Sequence, residues 1–68
     1  MEEILYWHLD TARLWLKEKG IGYTIISDSH ITKEDNRMTE YFLIEEGGFI
    51  TNISPALSFL DEFLLTML

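Results

Sequence analysis

The chain has 68 residues, 47% of them hydrophobic and 13% aromatic, enough for an ordered core but too few for a second one. Cysteine is absent, which excludes disulfides and thiolate-held metals. Twelve acids against five bases leave a formal charge of −7, which repels phosphate and argues against direct nucleic-acid binding.

A lone core of this size typically supplies only about 3–5 kcal/mol, so a closely packed monomer or an oligomer is expected. Residues 1–68 read as one α+β domain. Glu2 and Glu3 stand where a secretory leader would be basic. No uncharged apolar run approaches the roughly 20 residues of a membrane span. A cytoplasmic protein without a membrane partner is the expectation, and the lack of cysteine fits a reducing compartment.

Glu3 to Lys19 carries a helical period, with Ile4, Leu5, Leu9, Ala12, Trp15 and Leu16 on one side and His8 among them. Glu2 and Glu3 complement the positive end of the helix dipole, Lys17 and Lys19 the negative end. Gly20 suits a left-handed cap. Tyr23 to Ile31 and Thr39 to Glu46 are rich in β-branched and aromatic residues and read as two strands. The polar hexapeptide Thr32 to Arg37 would join them as a hairpin loop. Gly47-Gly48 offers the positive φ angles of a tight primed turn, and Phe49 to Ile53 would return as a short third strand. Ser54-Pro55 has the composition of a helix start, opening a second helix that runs almost to Leu68. The expected architecture is a two-layer α-β-β-β-α domain: a three-stranded antiparallel meander flanked by N- and C-terminal helices.

Both helices hold more apolar surface than one sheet needs. Trp7 and Leu14 lie seven apart, on the side of the first helix away from Leu5, Leu9 and Ala12. Leu57 and Leu65 flank the second helix. Single exposed apolar residues are ordinary, but a patch anchored by Trp marks a contact with another chain. These four residues are the expected interface, with a homodimer the first candidate, because association would add stability to a small core.

No catalytic constellation emerges. His8 reads as a buried or half-buried imidazole bonded to a backbone carbonyl, and two residues' spacing turns it away from Asp10. In Asp28-Ser29-His30, strand alternation would place Asp28 and His30 on one face and Ser29 on the other, so the hydroxyl lacks a base. As metal ligands Asp28 and His30 are only two, and neither a calcium loop nor a phosphate loop is present. A small ligand-binding or enzymatic unit using Asp28 and His30 is the least favoured class; no cofactor is expected. The acids Glu34, Asp35, Glu40, Glu45, Glu46, Asp61 and Glu62 suggest an alternative. If they share a face they could imitate a row of DNA phosphates and occupy a basic nucleic-acid-binding or defence protein, as some small phage and mobile-element proteins do. Charge also serves solubility. The expected function is a non-enzymatic, homodimeric interaction protein that regulates or inhibits a protein partner.

Overall fold

The first helix starts later than its apolar period suggests. In the structure, a computed structural model that describes residues 1–28 and 30–56, Glu2–Ile4 forms one 3₁₀ turn and α1 spans Leu9–Lys19. Between them Tyr6 takes a φ of 69°, which a right-handed helix cannot accommodate. The reason lies in the sheet. The Tyr6 N–H donates to Ile50 O at 2.7 Å, the Ile50 N–H to Trp7 O at 3.0 Å, and the Leu9 N–H to Gly48 O at 2.8 Å. Residues 6–9 thus satisfy backbone groups along a strand edge, where a longer helix would leave that edge bare. At the other end Gly20 is left-handed (φ 71°), and the Ile21 N–H returns to Leu16 O at 3.0 Å, closing the helix as expected.

Four strands follow: β1 (Tyr23–Ser27), β2 (His30–Thr32), β3 (Tyr41–Glu46) and β4 (Phe49–Pro55). They form one mixed sheet in the order β2-β1-β3-β4. This overturns the expected three-stranded antiparallel meander: the sheet has a fourth strand, and β1 and β3 are parallel. The stretch Tyr23 to Ile31 is not one strand, because Asp28, at φ 52°, turns the chain back and pairs Ser27 with His30. The polar segment after Thr32 is therefore not a hairpin loop. It starts beside the beginning of β1 and leads into β3, which runs parallel to β1 with Tyr23 opposite Tyr41 and Ser27 opposite Glu45. A parallel pair needs a connection of about a dozen residues, and residues 28–40, β2 included, provide it.

β3 and β4 form the expected hairpin through Gly47 (φ 61°) and Gly48 (φ 92°). β4 outlasts its expected length. Ser54 and Pro55 pair with Phe42 and Tyr41, so both belong to β4, and the helical conformation expected from Pro55 is first seen at Ala56. Proline is tolerated here because it ends the sheet's outermost strand, where a missing N–H costs little. The body of the expected second helix, Leu57 onward, lies outside the described residues.

A register shift between Ile44 and Glu45 inserts Thr51 into β4. Ile50 and Ile53, three apart, thereby both reach the sheet face that α1 covers. The core is Ile4, Ala12 and Leu16 against Tyr23, Ile25, Leu43 and Ile50, with Trp7, Leu9, Trp15 and Ile53 half-buried around it.

Candidate interaction site

Several ionisable side chains are occupied in holding the fold. His8 caps α1: its Nδ1 accepts the Asp10 N–H at 3.2 Å, and its ring meets Phe49 edge-on at 5.5 Å. The imidazole is about half exposed, bonds a backbone N–H where a carbonyl was expected, and lies 3.8 Å from Asp10 Oδ2, so the expectation that it turns away from Asp10 is corrected. An accepting Nδ1 requires the neutral ring with its proton on Nε2.

Glu34 reaches back from the β2–β3 connection. Its Oε1 accepts Arg13 Nε–H at 2.8 Å and the Tyr23 hydroxyl at 2.9 Å, while Arg13 also donates to Asp10 at 2.9 Å. Burial, and then this bond to Glu34, push the Tyr23 phenol up to about 12, because both favour the neutral form. Glu40 accepts the Gly22 N–H at 2.8 Å, and Gly22 O accepts the Glu40 N–H at 2.8 Å. Glu45 accepts the Ser27 hydroxyl and the Gly48 N–H, and these two bonds hold its carboxyl below the usual range. Asp35 accepts the Arg37 N–H at 3.1 Å, and Glu46 is exposed. Asp61 and Glu62 fall outside the described residues. Of the seven acids proposed as one face, Glu34, Glu40 and Glu45 thus hold separate parts of the scaffold.

Asp28 occupies the β1–β2 turn and His30 opens β2, exposed. The alternation assumed for one continuous strand does not apply to them. Among the described residues no group of three His, Cys, Asp or Glu side chains gathers as a metal site.

The proposed interface residues separate. Trp7 is half-buried, edge-on to Trp15 at 6.2 Å, and its carbonyl holds Ile50. It anchors the N-terminal strap. Leu14 stands 67% exposed on α1, while Leu57 and Leu65 lie outside the described residues. Sequence reasoning missed other exposed apolar side chains: Tyr6, Met38, Phe49 and, on β2, Ile31 at 72% exposure. Their signal was weak, because helical periodicity cannot flag an apolar residue on a three-residue strand.

Comparison of the chain with protein families, with curated proteins and with solved structures finds no match. No helix among the described residues is long and apolar enough to cross a membrane.

Proposed function

We propose that this chain is a non-enzymatic protein–protein interaction module, homodimeric and regulatory or inhibitory toward a protein partner. The observation that carries this is the set of large apolar side chains left in solvent, with Leu14, Ile31, Tyr6 and Met38 each more than 65% exposed. A small acidic domain gains nothing in solubility from such residues, whereas association would bury some of them and stabilise a limited core. The catalytic alternative has little to draw on. His8, Glu34, Glu40 and Glu45 are engaged in caps and loop anchors, and among the described residues His30 and Asp28 gather no third metal-ligating group. The acidic decoy also loses weight as a second reading, since three of its carboxylates accept bonds from their own chain. A reducing compartment such as the cytoplasm suits a chain without cysteine.

Solution mass by light scattering, over a concentration series at low and high salt, tests the proposal. A dimer at both salts supports an apolar association. A monomer at every concentration removes the homodimer, and a dimer lost at high salt would point to charge as the driving force.

A further inference from the structure

The two edges of the sheet are treated differently. On β4, residues 6–9 run alongside and bond to Gly48 and Ile50. On β2, no described residue bonds to the outer edge, and His30, Ile31 and Thr32 are all exposed. In a two-residue hairpin the closing pair, here Ser27 and His30, directs its main-chain groups at itself. Those of Ile31 therefore face outward. An N–H and C=O that no described residue engages, flanking an exposed isoleucine, form a template for another strand.

We infer that β2 is the homodimer interface, pairing antiparallel with β2 of a second copy about a two-fold axis at Ile31. This rests on the homodimeric reading above and specifies its surface. Two features select a second copy as the occupant. The first is side-chain continuity. Ile31 is opposite Ile26, and Ile26 opposite Ile44, so a row of isoleucines runs over β2, β1 and β3 and ends at the open edge. Two-fold pairing places Ile31 on its own equivalent and continues the row into the second sheet. The second is charge. The residues that pair, His30 to Thr32, contain no acid although the chain carries −7, and Asp28 and Glu34 oppose each other only beyond the ends of β2. Three residues supply few main-chain bonds, so the isoleucine contact carries much of the association, and the dimer is reversible and concentration-dependent.

Sedimentation of the full chain with Ile31→Lys, Ile31→Val and Leu14→Glu tests this, with circular dichroism confirming that each variant folds. Ile31→Lys is expected to weaken dimerisation about tenfold or more, while Ile31→Val and Leu14→Glu stay near wild type. If Leu14→Glu dissociates the dimer and Ile31→Lys does not, the edge assignment falls and the homodimer stands. If the wild type is monomeric throughout, the homodimer itself falls. Should Ile31→Lys unfold, amide exchange of the wild type decides. Protection of the Ile31 N–H that rises with protein concentration supports edge pairing, and protection independent of concentration across the dimerisation range overturns it.

Discussion

At the residue scale, Tyr23 joins the core to the connection that crosses it. Its ring is 1% exposed, and its hydroxyl reaches Glu34 beside Arg13. A phenol raised from 10.0 to about 12 keeps its proton longer in the folded state than in the unfolded one. Its contribution is therefore complete below about pH 10 and is lost as the pH rises toward 12. At about 1.4 kcal/mol per unit, roughly 2–3 kcal/mol is at stake. Urea denaturation at about pH 9 and about pH 12 should show the advantage of wild type over Tyr23→Phe shrinking by that order. A constant gap would mean that Tyr23 ionises alike in both states. Neither Glu34 nor His8 was legible in its role. A carboxylate in a polar hexapeptide looks solvated, and histidine is not among the usual N-caps.

Among the elements, the β2–β3 connection decides the topology, and Gly22 is where it is fastened. A Cβ there would lie 2.0 Å from the Met38 carbonyl oxygen, so the connection passes against bare backbone. Gly22→Ala must displace main chain, at a cost of about 2–3 kcal/mol. At Gly47 an added Cβ meets nothing within 4 Å, and only the φ of 61° resists substitution, so Gly47→Ala should cost about 1 kcal/mol. Denaturation midpoints of the two variants check this; equal losses would remove crowding at Gly22 as the cause. Both glycine turns were legible because glycine takes positive φ without steric cost, as Gly20, Gly47 and Gly48 do. The turn at Asp28 was not, because aspartate permits that conformation without demanding it.

For the whole molecule, one layer of α1 on the sheet surrounds a core in which Leu43 is 0% exposed on a central strand. Leu43→Ala removes about 2–5 kcal/mol from a core of comparable worth, and should abolish cooperative melting by circular dichroism. Melting at the wild-type temperature would place the core elsewhere. Local chemistry alone determined the mixed helix-and-strand content, the helix ending at Gly20, the strand character of Tyr23 to Ser27 and Tyr41 to Glu46, and the Gly47-Gly48 hairpin. Each depends on period 3.6, period 2 or a φ preference carried by a few adjacent residues. Only the tertiary structure decided where the first helix begins, because Tyr6 to Leu9 exchange helical bonds for bonds to β4. It also decided that Ile50 and Ile53 share a face, through a bulge that alternation cannot reveal. Above all it set β3 parallel to β1. Strand sequences encode which residues face a core, but the direction of a neighbour follows from the path between them, which partners distant in sequence hold in place.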